Sequence, residues 1–132
     1  MSSQSTSTNH SCLFCSMPAD RIVESNDLAY AVRDGFPVTD GHTLVIPKRH
    51  VTDFFGLTED EVLACNQLLN ELRRTIMVQD EFVKGFNIGM NAGATAGQTI
   101  FHCHIHLIPR REGDVENPRG GVRHTIPGKG FY

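Results

Sequence analysis

Gln98-Thr99-Ile100-Phe101-His102-Cys103-His104-Ile105-His106-Leu107-Ile108-Pro109 sets three histidines in alternation with apolar residues. In a strand, successive side chains point to opposite faces. His102, His104 and His106 are therefore expected on one face at steps of about 6.6 Å, with Cys103, Ile105 and Leu107 entering a core behind them. A single histidine on such a face is an ordinary polar residue. Three in register, preceded by Gln98-Thr99 and by the small-residue loop Ala92-Gly93-Ala94-Thr95-Ala96-Gly97, border a surface to which another molecule can come close. Residues 100–108 are thus predicted as the strand that carries the chemistry.

Outward from that strand, residues 86–91 form its predicted neighbour across the small-residue loop. Thr43-Leu44-Val45-Ile46, ending at Pro47, has the β-branched content of a buried strand. Residues 21–24 and 28–33, separated by Ser25-Asn26-Asp27, read as a hairpin because Asn and Asp side chains cap their own backbone in turns. Thr58-Glu59-Asp60-Glu61 offers a hydroxyl cap with Glu three residues on and acids at the positive end of the helix dipole. A helix is expected from there to about Val78, with Val62, Cys65, Leu69, Leu72 and Ile76 on one apolar face. Hairpin-like connections and one long helix predict an α+β fold on an antiparallel sheet rather than a parallel, doubly wound one.

With 132 residues the chain has the size of one domain. No apolar stretch is long enough to span a bilayer. A net charge of −3 argues against a general nucleic-acid or membrane surface, which requires an excess of Lys and Arg. The polar start, residues 1–11, is expected to be a disordered tail without the apolar run of a secretory signal. Cysteines at positions 12, 15, 65 and 103 make one Cys-x-x-Cys pair and two isolated core residues, a pattern that fits a reducing cytoplasm. A single Cys-x-x-Cys is only half of a tetrahedral metal site and equally suits two buried thiols. The end of the chain is locally basic, with Arg110, Arg111, Arg119, Arg123 and Lys129 against Glu112, Asp114 and Glu116.

The alternating histidines after Gln-Thr resemble the motif of the histidine triad (HIT) family. Residues 41–50, Gly-His-Thr-Leu-Val-Ile-Pro-Lys-Arg-His, and 87–91, Asn-Ile-Gly-Met-Asn, are similar to the family's neighbouring strands. The resemblance implies a HIT-like fold over residues 12–111: a five-stranded antiparallel sheet with one long helix and a short one. A C-terminal extension, 112–132, would pack on the domain or on a partner subunit. It further implies a nucleotide phosphohydrolase in which His104 attacks the α-phosphorus and a nucleotidyl-histidine is then hydrolysed. Alternatives with the same site are a nucleotidyl transferase or phosphorylase, and a nucleotide-binding adaptor with little turnover.

By the same resemblance, His106, Gly97, Gln98 and Thr99 meet the phosphate, and Asn91 meets the phosphate or ribose. His42 supports the triad, Asp34 beside Gly35 accepts from the ribose, and Leu13, Phe14, Val32 and Leu44 wall the base slot. Members with the N-terminal cysteine pair complete a structural zinc site, here Cys12, Cys15, His50 and His102. The rival arrangement is a catalytic zinc held by His102, His104 and His106. The implied substrate is a purine nucleotide: an adenosine dinucleoside polyphosphate, phosphoramidate or phosphoester. The basic tail resembles that of the diadenosine-polyphosphate-hydrolysing branch and would compensate a polyphosphate, and the implied assembly is a homodimer. His10 and His124 receive no role.

Overall fold

The computed structural model describes residues 11–132. The expected N-terminal tail, apart from Ser11, and His10 lie outside the described residues. Five strands, β1 (Ile22–Ser25), β2 (Ala29–Arg33), β3 (Thr43–Pro47), β4 (Val83–Gly89) and β5 (Ile105–Arg111), form one sheet in the order β1-β2-β3-β5-β4. Every pairing is antiparallel. One long helix, α1 (Glu59–Gln79), covers one face.

The hairpin β1–β2 turns at Asn26, whose side-chain oxygen accepts from the backbone N–H groups of Leu28 and Ala29. Helix α1 starts on a complete capping box: Thr58 accepts from the Glu61 N–H, and Glu61 accepts from the Thr58 N–H. Its inward face is Cys65, Leu68, Leu72 and Ile76, packed on Ala29, Ala31, Val45, Val83, Ile105 and Leu107. The 3.6-residue period turns Leu68 fully inward, so Val62 and Leu69, placed on the core face by the sequence, are only half-buried at the margin.

The opposite face of the sheet carries the site, and the period of two explains which residues reach it. Even-numbered positions of β2 and β3, Tyr30, Val32, Leu44 and Ile46, gather there with Phe14 in a second apolar cluster. Val32 pairs with Leu44, and Leu44 with His106. The ladder continues past β2 through the Asp34 N–H, which donates to the His42 carbonyl at 2.9 Å. Asp34 just past β2, His42 just before β3 and His106 in β5 therefore project to the same side.

One expectation is corrected here. The sequence predicts strand over residues 100–108, but β5 begins at Ile105, and His102 and His104 precede it. The cause is Pro47, which ends β3 and has no N–H to continue the ladder. The Cys103 N–H donates instead to the Val51 carbonyl at 2.7 Å, and the Pro47 carbonyl takes the ring N–H of His102 at 2.7 Å. The C-terminal segment turns back so that a short 3-10 turn, Gly121–Thr125, lies against β4. Its last residue, Tyr132, sits beneath the guanidinium groups of Arg119 and Arg123. His124, given no role from sequence, donates from its ring to the Arg119 carbonyl at 2.8 Å and packs edge-on against Phe131.

Candidate active site and metal centre

The break before β5 divides the three histidines. His104 and His106 line one pocket together with Leu13, Phe14, Val32, Asp34, Gly35, Leu44, Asn91, Gly97 and Thr99. Their rings lie 5.3 Å apart, closer than the strand repeat implied. His102 is turned away and fully buried, its ring edge-on to His50 at 5.0 Å. One row of three imidazoles, and with it the rival zinc held by all three, is therefore not what the chain builds.

Hydrogen bonds fix the tautomer of each ring. His104 Nδ1 lies 2.8 Å from the His102 carbonyl; a carbonyl only accepts, so the proton is on Nδ1 and Nε2 keeps its lone pair. His42 Nδ1 accepts from the Val38 backbone N–H at 3.1 Å, which puts the proton of a neutral His42 on Nε2. That Nε2–H points at His106 Nδ1, 2.9 Å away, so Nδ1 of His106 accepts and its own proton sits on Nε2. The Asp34 carboxylate flanks the pair, 3.4 Å from His42 Nε2 and 4.0 Å from His106 Nδ1, while its other oxygen accepts from the Phe36 N–H at 2.7 Å. The outcome is a nucleophilic nitrogen on His104 beside a hydrogen-bond donor on His106.

Burial reinforces this state. Desolvation lowers the pKa of His42 against the pull of Asp34. Desolvation, then the neighbouring His104 and His42 rings, lowers that of His106. Both rings stay neutral at neutral pH, as the chain of hydrogen bonds requires.

Two clusters of ligating atoms occur among the described residues: Cys12, Cys15, His50 and His102, and Asp34, His42 and His106. Only the first can take a metal. In the second, His42 already accepts at Nδ1 and so has its proton on Nε2, the atom that faces the others. In the first, His102 donates from Nε2 to Pro47, which leaves Nδ1 free and aimed at the thiols. Its distances are 3.4 Å to Cys12 Sγ and 3.5 Å to Cys15 Sγ, and His50 Nδ1 lies 3.1 Å from Cys15 Sγ. Two sulfurs and two ring nitrogens at these separations suit a closed tetrahedral zinc shell, whose S···N edges are about 3.5 Å.

Phe14, inside the Cys-x-x-Cys loop, links the two centres. Its ring is edge-on to His102 at 5.8 Å and to His104 at 5.0 Å, and its carbonyl accepts from the buried Tyr30 hydroxyl. On the other side, Arg49 holds the turn that carries His50 through a two-pronged bond to Glu61 at 2.8 and 2.9 Å. That bond lowers the Glu61 pKa and raises that of Arg49.

Several site residues depart from their expected roles. Gln98, expected on the phosphate, is buried: its amide donates to the carbonyls of Thr52 (2.7 Å) and Ile100 (3.1 Å) and accepts from the Gly93 N–H (2.8 Å). It shapes the loop rather than lining the pocket. Gly97, at φ 99°, takes the left-handed conformation that ends the short turn Ala94–Ala96. Thr99 and Asn91 are exposed at the pocket wall.

The tail cations do not reach the pocket: Arg110 is bonded to Asp114 and Asn87, and Arg111 to Asp80. Cys65 and Cys103 are buried, with burial pushing their thiols up to about 11 and about 12, so they are packing residues. Arg21, Phe36 and Ile100 also line the pocket. The sequence offered no periodicity or motif that marks them.

Comparison with known proteins matches this arrangement. The HIT domain family model matches residues 17–113. An uncharacterized HIT-like protein of Mycoplasma genitalium is 38% identical over 109 residues, covering 80% of this chain and 77% of that protein. Adenylylsulfatase HINT3 of Arabidopsis thaliana is 34% identical over 84% of this chain and 58% of its own length. Among solved structures, a Zn-bound histidine triad family protein from Mycobacterium smegmatis superposes with a TM-score of 0.72 at 34% identity, over 80% of this chain and 78% of that one. A hypothetical histidine triad nucleotide-binding protein from Sulfolobus tokodaii gives 0.71 at 34% identity, over 77% and 70%. The chain belongs to the HIT domain family.

Proposed function

We propose that the protein hydrolyses nucleotides at the α-phosphate through a covalent nucleotidyl-His104 intermediate. The substrates are adenosine dinucleoside polyphosphates or adenosine phosphoramidates and phosphoesters. The observation that carries this reading is the tautomer of His104, with Nδ1–H held by the His102 carbonyl and Nε2 free beside His106. Nε2 attacks phosphorus and the bond to the leaving group breaks, the departing oxygen or nitrogen taking a proton from solvent, to which the water of the second step returns one. Water then attacks the same phosphorus and returns the electron pair to Nε2. The Nε2–H of His106 donates to a non-bridging oxygen as its charge grows, with Thr99 and Asn91 on the same wall. Asp34 serves the ribose hydroxyls, and Val32, Leu44, Leu13 and Phe14 the base.

Cys12, Cys15, His50 and His102 hold a structural zinc in this reading. The bound ion cross-links the N-terminal loop to the turn after β3 and to His102. The chain's own part is to fix the His102 carbonyl, and thereby His104. We also read the protein as a homodimer: Phe54, Leu57, Val62, Leu69, Ile88 and Met90 line an apolar strip beside α1 and the edge strand β4.

The test is incubation of the purified protein with diadenosine tetraphosphate and with an adenosine phosphoramidate, with His104→Ala in parallel. Turnover lost in the variant supports the hydrolase. Nucleotide binding without turnover in the intact protein points to an adaptor instead.

A further inference from the structure

Leu13 and Phe14 stand between Cys12 and Cys15, so the loop that carries the two sulfur ligands is also a wall of the nucleotide pocket. The ligating atoms of Cys12, Cys15, His50 and His102 all lie within 4.8 Å of one another. Cys12 and Cys15 are half-exposed, whereas Cys65 and Cys103 are buried in the core. Cys12 and Phe14 also border a surface hollow with Ser16, Met17 and Pro18, which brings small molecules in solution to this loop.

Phe14 joins the thiols to the reacting histidine. Its ring meets the His102 ring at 5.8 Å and the His104 ring at 5.0 Å, and its carbonyl accepts from the Tyr30 hydroxyl. His102 makes a second connection: its Nδ1 faces both sulfurs, and its carbonyl holds His104 Nδ1 at 2.8 Å. At a Zn–S length of about 2.3 Å, tetrahedral sulfurs stand about 3.8 Å apart, whereas a disulfide brings them to about 2.05 Å. Residues 13 and 14 cannot keep one position in both states. The main core is spared, because no residue of this loop belongs to the cluster that α1 forms with the sheet.

We infer that Cys12 and Cys15 form a peroxide-sensitive switch on nucleotide binding, in which a disulfide between them gives up the metal and withdraws Phe14 from the pocket. The inference rests on the zinc and nucleotide readings above and goes beyond them. One thiolate attacks an oxygen of a hydroperoxide and becomes a sulfenic acid; the O–O bond breaks and the other oxygen leaves with a proton from solvent. The second thiolate attacks that sulfur, the S–S bond forms, and hydroxide departs and is protonated to water. Two electrons have passed from sulfur to oxygen, and His50 and His102 alone are too few ligands to retain zinc.

Hydrogen peroxide in slight excess over the zinc-loaded full chain tests this. Zinc is read with a colorimetric chelator against an untreated control, thiols by titration under denaturing conditions, and the linkage by peptide mass mapping. AMP affinity is measured by titration calorimetry before oxidation, after it, and after reduction and zinc reloading. The expected result is that zinc and two of the four thiols are lost together, with a Cys12–Cys15 disulfide. AMP binding then weakens about tenfold and returns on reduction and reloading, while the circular dichroism spectrum keeps its helix and sheet. Unchanged AMP affinity after zinc release would overturn the inference. So would thiols that resist peroxide, oxidation that reduction does not reverse, or loss of the fold. Failure of the untreated protein to bind AMP would instead remove the nucleotide reading, and failure to hold zinc would remove the zinc reading, the inference falling with either.

Discussion

Replacing Gln98 by Ala separates a scaffold role from a direct role in catalysis. Its amide makes three hydrogen bonds to backbone, at 2.7, 2.8 and 3.1 Å, from a side chain that is only 4% exposed. At a net worth of about 1 kcal/mol each the sum is about 3 kcal/mol. Thr52 is exposed, so water can replace the bond to its carbonyl and the loss falls to about 2–3 kcal/mol. For a chain of this length the melting temperature should drop by roughly 7–11 °C, read by circular dichroism on heating. Gln98→Glu sharpens the test: one oxygen still accepts from Gly93, but the other faces two carbonyls with no proton to donate. That variant should be at least as unstable at neutral pH and recover partly in acid, where the carboxyl is protonated. A variant Gln98→Ala with unchanged melting temperature and collapsed turnover would refute the scaffold role and return Gln98 to the phosphate.

Further outcomes follow from the same geometry. His42 and His106 have lowered pKa values in the fold, so below pH of about 6.5 the unfolded chain binds protons that the folded chain refuses. Stability should therefore be intact above that pH and fall as pH drops toward the folded values, by up to about 1.4 kcal/mol per unit for each ring; denaturant titrations of wild type and His42→Gln should differ in this slope. Chelation of zinc should lower stability by about 4 kcal/mol when the ion had been a thousandfold above its dissociation constant, and, since the zinc shell positions His104, AMP should by linkage tighten zinc binding in equilibrium competition with a colorimetric chelator. Arg49→Ala leaves the buried Glu61 carboxylate without its two-pronged partner and should cost about 2 kcal/mol in urea unfolding, with weaker zinc retention through His50.

The strands, the capped helix and the clustering of Cys12, Cys15, His50 and His102 were legible because each rests on spacing along the chain or on the family motif. The division of the histidines was not, since alternation alone cannot register that Pro47 on the neighbouring strand withholds an N–H and ends the ladder at β5. Gln98 was misplaced for a related reason: its partners, the Thr52 carbonyl and the Gly93 N–H, come from other segments, and a polar residue beside a motif reads as exposed until they are located. Arg21 reaches the pocket from a turn with no pattern of its own. Composition shows only that the tail is basic, whereas Asp114 engages Arg110 and Asp80 engages Arg111.

The most direct measurement is rapid acid-free quench of a single turnover on an adenosine phosphoramidate, followed by intact mass and peptide mapping. A free Nε2 on His104 predicts one adenylyl group on the protein, mapped to His104, formed and lost at the rate of turnover and absent in His104→Ala. Turnover at full rate without any adduct, with inversion at a chiral α-phosphorus, would show that water attacks directly and would contradict the account.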